Sequence, residues 1–173
     1  MFKGAMVTAT AETFLRSSPD ETWAALGRRS TYLRLPGVAP DPEVTGSLQH
    51  ALDLPIVDRL VQRATLSVAR AGRNGHRERR FSLRGSLISV RGCWQLEPCP
   101  DGVRLRVDLT YEIAPRLKAQ AVNTLRSRSP LPIRTDADAI LSRAVDEFFQ
   151  THLAAQAVAY CDAMQTHLGE QSA

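Results

Sequence analysis

The feature that most constrains this chain is the amphipathic run from Thr135 to about Leu168. Ala137, Ile140, Leu141, Ala144, Val145, Phe148, His152, Gln156, Ala159 and Tyr160 recur at the spacing of a core-facing helical stripe. Phe149, Leu153 and Met164 widen it. Thr135, with Asp138 three positions on, supplies a capping box at its start. About 33 helical residues at 1.5 Å each give a rod of roughly 50 Å, enough to span a whole sheet. Phe148 and Phe149 fall at its middle, and Phe148 fits the inward stripe better.

What such a helix would cover is legible upstream. Ile88–Glu97 and Val103–Ile113 both alternate with period two around a Pro-Cys-Pro-Asp-Gly turn. Their inward sets are Val90, Gly92, Trp94 and Leu96, and Leu105, Val107, Leu109, Tyr111 and Ile113. Val61–Ala71 and Arg77–Leu87 flank Gly72–Gly75, whose Asn-Gly is a hairpin signal. Glu43–Leu54 alternates as Val44, Gly46, Leu48, His50, Leu52 and Leu54. Residues 5–16 read as a first strand with Val7, Ala9, Ala11, Thr13 and Leu15 inward. Six strands are predicted, and Leu54–Leu60 can hide a bulge or a seventh.

After the first strand, Ser18, Pro19 and Glu21 form a helix start with a capping box. Trp23, Leu26 and Tyr32 give a short apolar stripe. The helix ends near Gly27, and a second helical turn runs to Leu35 before Pro36-Gly37. Residues 115–134 lack strand pattern and read as a long loop. Leu117, Ala121, Val122 and Leu125 predict a short basic amphipathic helix within it, bounded by Pro115 and Pro130. The fold class is α+β: a curved antiparallel sheet wrapped around a long C-terminal helix, with two short helices after the first strand. One domain over 1–173 is expected, because 173 residues at 43% hydrophobic can bury one sizeable core.

No apolar run reaches the ~18–20 residues of a membrane span. The first residues lack a signal peptide's apolar centre, which predicts a cytoplasmic protein. Cys93, Cys99 and Cys161 are odd in number and match no zinc spacing, so they read as reduced thiols. Twenty arginines stand against two lysines, a bias that a GC-rich genome alone can produce. Arg70, Arg73, His76, Arg77, Arg79, Arg80 and Arg84 crowd one hairpin. They read as a solvated face, or as a surface that meets anionic membrane with the basic segment 116–128. Base-stacking aromatics do not interleave with them, so no specific nucleic acid is expected. Glu12 and Asp108 fall outward, as partners for arginines. There are no paired carboxylates, phosphate loop or nucleophile elbow, and no catalytic residue is assigned.

The order strand, short helices, antiparallel meander, long helix resembles the helix-grip fold of the START/Bet v 1-like (SRPBCC) superfamily. The matching segments are Ser17–Trp23, Leu35-Pro36-Gly37-Val38, and Gly92–Pro98 followed by Asp101–Leu105. Nearest in character are bacterial polyketide cyclase/dehydrase and lipid-transport proteins. The resemblance implies a deep apolar cavity between sheet and helix, without metal or cofactor, serving binding proteins, cyclases or ribosome-associated proteins. Ligand-binding residues are then Trp94, Tyr111, His50, Phe148, His152, Leu109, Leu48 and Val145. Trp94 and Tyr111 read first as core packing and second as cavity wall. His50 and His152 can be satisfied core histidines or polar contacts to a guest. The expected partner is a hydrophobic small molecule (lipid, quinone or polyketide-like) held by a monomer or homodimer, with loop 115–134 as a lid. The alternatives are a polyketide aromatase/cyclase or dehydrase, and, third, an RNA or ribosome partner using the arginine face.

Overall fold

The computed structural model describes residues 4–71, 77–128 and 136–171. The elements are β1 (Ala5–Leu15), α1 (Pro19–Leu26), α2 (Arg29–Tyr32), β2 (Val38–Pro40), β3 (Leu48–Leu54), β4 (Asp58–Ala71) and β5 (Arg77–Gly85). They continue with β6 (Ile88–Cys99), β7 (Gly102–Ile113), α3 (Pro115–Arg128) and α4 (Ala137–Gln171). The strands form one antiparallel sheet in the order β1-β7-β6-β5-β4-β3-β2. The helix-grip architecture is therefore present, with seven strands among the described residues.

Local chemistry sets the element ends. Ser18 accepts from the Glu21 amide at 3.1 Å while the Glu21 carboxylate accepts from the Ser18 amide at 3.3 Å, so the capping box of α1 is complete. The helix closes at Gly27. The seventh strand is not in Leu54–Leu60, where residues 55–57 make a tight turn into Asp58. It is the short edge strand β2, whose three residues pair with β3. Glu43–Leu54 is extended only from Leu48. Val44 and Gly46 lie in a loop that the Asp41 carboxylate holds, accepting from the amides of Glu43 and Val44 and pairing with Arg63 at 2.5 Å. An Asx-type loop of this kind competes locally with strand pairing. The basic segment is helical, as α3. The Asn-Gly turn at 74–75 and the Thr135 cap lie outside the described residues.

The inner face of the sheet follows the predicted alternation, and the one acidic residue at an inner-face strand position is the exposed Asp58 at the start of β4. Helix α4 runs alongside β1 in the same direction. Near its start Gln150 donates to the Thr8 carbonyl at 3.1 Å, and near its end Gln165 and Leu168 share a cleft with Leu15 and Arg16. It packs on β1 and β7, and its buried stripe is Val145, Phe149, Leu153, Ala157, Tyr160, Met164 and Leu168. This is a correction: Phe149 points into the core, and Phe148 is half-buried beside it. Ile140, expected inward, is 62% exposed. The helix leans on the β1–β7 margin and is thereby turned by about one residue, or 100°, from the orientation a centred stripe would give.

One buried polar network pins β4 to the start of β6. The Gln62 carbonyl oxygen accepts from the amides of Leu87 and Ile88 at 2.9 and 3.1 Å, and its Nε2 donates to the Ile88 carbonyl at 2.5 Å. Those bonds fix the amide orientation, so the Nε2 faces His50 Nδ1, 3.5 Å away, as a donor. His50 is consequently the neutral Nε2–H tautomer, and burial holds its pKa down at about 4.

Two outcomes follow from this packing. Phe149→Ala costs about 3–5 kcal/mol of unfolding free energy, and Phe148→Ala costs less than half as much, measured by urea unfolding. For His50 the unfolded chain binds a proton near pH 6.5 and the folded chain only near 4. Stability is therefore full above pH 6.5 and falls by on the order of 3 kcal/mol as pH drops toward 4. His50→Gln flattens the stability profile across that window, and an unchanged slope would show that another group titrates there.

Candidate functional site

Besides the His50–Gln62 network, two polar centres stand on the largely apolar inner face. The first is built by the β5–β6 ladder, which sets Arg79 directly opposite Trp94 and Phe81 opposite Gly92. Gly92 has no Cβ because the Phe81 ring occupies that space: a Cβ there would lie 2.1 Å from the ring. The ring in turn packs between Tyr32, at 5.0 Å, and Trp94, at 5.9 Å. Alternation from Phe81 then aims Arg79 at the same face, under α1. Its guanidinium carbon lies 3.9 Å above the Trp23 ring, and one terminal nitrogen donates to the Trp23 carbonyl at 3.3 Å. Gly27 leaves room for it.

Arg79 is only 8% exposed, although it lies close beneath the surface. Among the described residues it has no carboxylate partner, and its Nε–H meets no acceptor. Across the β4–β5 ladder it faces another cation, Arg70. Burial, then Arg70, depress its pKa, but a guanidinium keeps its charge at any ordinary pH. The Trp94 Nε1–H also has no acceptor of good geometry, though the Tyr32 hydroxyl lies near. That hydroxyl donates to the Leu26 carbonyl at 2.8 Å, and burial pushes its pKa up.

The second centre joins α4 to β7. The Tyr111 hydroxyl donates to Gln156 Oε1 at 2.7 Å, and the buried Tyr160 hydroxyl lies beside it without a well-formed hydrogen bond. Burial raises both pKa values far above the tyrosine norm. At neutral pH these are hydroxyls that donate or accept, not phenolates. On the same flank of α4, Phe148 and His152 stack with ring centroids 4.1 Å apart, and His152 Nδ1 donates to the Phe148 carbonyl at 2.9 Å.

The predicted residues are thus dispersed. Trp94 belongs to the first centre, Tyr111 to the second, and His50 to the Gln62 network. Leu48, Leu109 and Val145 are buried wall on β3, β7 and α4. These six are 0–1% exposed, so the core closes over them to a water-sized sphere. Phe148 and His152 alone among the eight reach solvent, as do Leu60, Leu66 and Val68 on the inner face of β4. Two open clefts, of about 660 Å³ at the end of β1 and about 480 Å³ beside Lys118 and Asp146, are lined by none of the eight.

Arg79, Tyr32, Gln156 and Tyr160 carry geometry that the sequence reading did not assign. Arg79 was hidden among arginines expected to be solvated, yet its place two residues before Phe81 marks it as inward. Its neighbours behave as expected: Arg77 pairs with Asp20, Arg91 with Glu112, Arg104 with Glu97, and Arg106 with Asp108. Among the described residues no three potential metal ligands cluster, and no helix is long and apolar enough to cross a membrane.

No protein-family model matches the chain, and no curated protein is similar to it. Solved structures do match. The Zhui aromatase/cyclase from Streptomyces sp. R1128 superposes with a TM-score of 0.56 at 12% identity, over 98% of this chain and 97% of that one. A START superfamily protein from Mycobacterium smegmatis gives 0.51 at 14%, over 98% and 99%. The di-domain aromatase/cyclase StfQ of the steffimycin pathway gives 0.54 at 15%, over 96% of this chain. This chain spans about half of StfQ, 52% of its length. At such identities the likeness speaks for architecture alone, and together with the sheet and its covering helix it shows that this chain has the helix-grip fold of these START and aromatase/cyclase structures.

Proposed function

We propose that this protein binds an apolar small molecule, of lipid, quinone or polyketide type, between the inner face of the sheet and α4. The observation that carries the reading is the set of buried polar atoms without a well-formed hydrogen bond: Arg79 Nε and His50 Nε2, and Trp94 Nε1 and the Tyr160 hydroxyl, which have only the Tyr32 and Tyr111 hydroxyls beside them. Folded proteins seldom leave such atoms unpaired, and each costs about 1–3 kcal/mol. Oxygens of a guest would satisfy them, while the surrounding Leu, Val and Phe side chains supply apolar burial at ~25 cal/mol per Å².

Because Trp94 and Tyr111 are closed off, uptake requires the walls to part. Solvent already reaches Phe148 and His152 on α4 and, separately, Leu66 and Val68 on the inner face of β4. Helix α3 is the mobile cover in this reading. It is latched by Lys118 to Asp146 at 2.8 Å, by Arg126 to Asp138, and by Arg116 to the Ser86 carbonyl at 3.1 Å.

A second reading, cyclisation or dehydration of a polyketide-like chain in the same space, is favoured by the aromatase/cyclase structures that share the fold. Here the neutral His50 imidazole and the Tyr111 hydroxyl would move protons. The raised Tyr111 pKa argues for orientation rather than ionisation, which places binding ahead of catalysis.

Nile red, a neutral apolar dye, tests the leading reading. It should bind with a blue-shifted, enhanced emission. Phe148→Asp should weaken that binding about tenfold or more, while Val158→Asp, on a 54% exposed position of the same helix, leaves it unchanged. A protein that takes up no dye, and that shows only its bare mass in native mass spectrometry after purification from its host, would remove both readings.

A further inference from the structure

Resting on the binding reading, the geometry points to a carboxylate as the polar end of the guest, held between Arg79 Nε–H and Trp94 Nε1–H. Four observations converge on this pair. The two residues are register partners on adjacent strands, so their side chains rise from points about 5 Å apart on one face. The Arg79 Nε–H meets no protein acceptor, and the buried Trp94 Nε1–H has only the Tyr32 hydroxyl near it, without good geometry. Both groups are donors only, so a guest hydroxyl or amine proton would gain nothing from them. Finally, the cationic Arg79 lies opposite cationic Arg70, and no Asp or Glu of the described residues pairs with either.

Stacking on Trp23 and the bond to its carbonyl explain how the guanidinium is held, but they do not balance its charge. Like charges directly opposite on a ladder repel, and an anion between them converts that repulsion into attraction. A planar carboxylate offers two oxygens to two N–H groups on neighbouring strands, the arrangement in which guanidinium recognition is strongest. Phe81 and Tyr32 flank the site, so the remainder of the guest is an apolar chain or ring.

Displacement of Nile red by three twelve-carbon probes, below micellar concentrations and well above the acid's pKa, tests the assignment. Dodecanoate should bind about tenfold or more tighter than dodecanol in the wild-type protein. Arg79→Met should abolish that preference. Trp94→Phe, which keeps an aromatic ring but loses the N–H together with part of the indole, should reduce the acid-over-alcohol ratio several-fold. If Arg79→Met does not fold, the wild-type ratio and the Trp94→Phe ratio decide alone. Equal affinities for acid and alcohol, or a preference untouched by Trp94→Phe and Arg79→Met, would overturn the carboxylate site and leave the apolar-binding reading standing. Tighter binding of dodecyl phosphate than of dodecanoate would overturn the choice of carboxylate. Failure of all three probes to displace the dye would count against the binding reading itself.

Discussion

A seven-stranded sheet is wider than any one helix that can lie on it. At about 4.8 Å per strand the ladder from β1 to β2 measures roughly 29 Å across, whereas a helix with its side chains is about 10 Å thick. Helix α4 therefore covers one margin, β1 and β7, and the rest of the inner face must be closed by other means. Helices α1 and α2 close the β5–β6 end through Trp23, Leu26 and Tyr32, and α3 docks beside α4 through Leu117, Ala121 and Val122. The mismatch in width makes this architecture suited to holding something that its own side chains do not supply.

The same mismatch explains where polar atoms end up. On the β1–β7 margin the helix packs mainly with apolar side chains, and its polar crossings, Tyr111 to Gln156 and Gln150 to the Thr8 carbonyl, are paired. Away from that margin, polar side chains reach inward from strands and find the backbone, as Gln62 does, or leave a donor without an acceptor, as Arg79 does at Nε. Among the described residues, Asp20, Glu97, Asp108, Glu112 and Asp138 pair with arginines at the surface, and Asp58, the one acidic side chain at an inner-face position of the sheet, is exposed at the start of its strand. The interior is thus left with cationic and donor character, a consequence of strand alternation acting on a chain with twenty arginines.

Much of this was legible beforehand. The period-two runs gave β1, β6 and β7 because each has one apolar face throughout, and Ser18, Pro19 and Glu21 fixed the start of α1 through purely local bonds. The 115–128 helix showed in four apolar residues at helical spacing. Other features depend on tertiary geometry that no local pattern encodes. Phe148 and Phe149 are adjacent and equally apolar, so only the lean of α4 toward β1 decides between them. Strand β2 is three residues long and contains Pro40, too short for periodicity to register. Arg79 sits among arginines that are solvated, and its burial depends on Trp23 arriving from another element. His50 was visible as a polar residue on an apolar face, but its tautomer depends on a Gln62 amide oriented by Leu87 and Ile88.

Phe81 and Gly92 illustrate how such a face changes over evolutionary time. Neither position can acquire a bulkier or smaller occupant independently, because the ring at one fills the space that the missing side chain at the other vacates. Among descendants of this chain, a methyl-bearing residue on β6 at that point should be accompanied by a slimmer partner on β5. The two sites should then drift as a unit, and each swap would reset the shelf on which the indole rests.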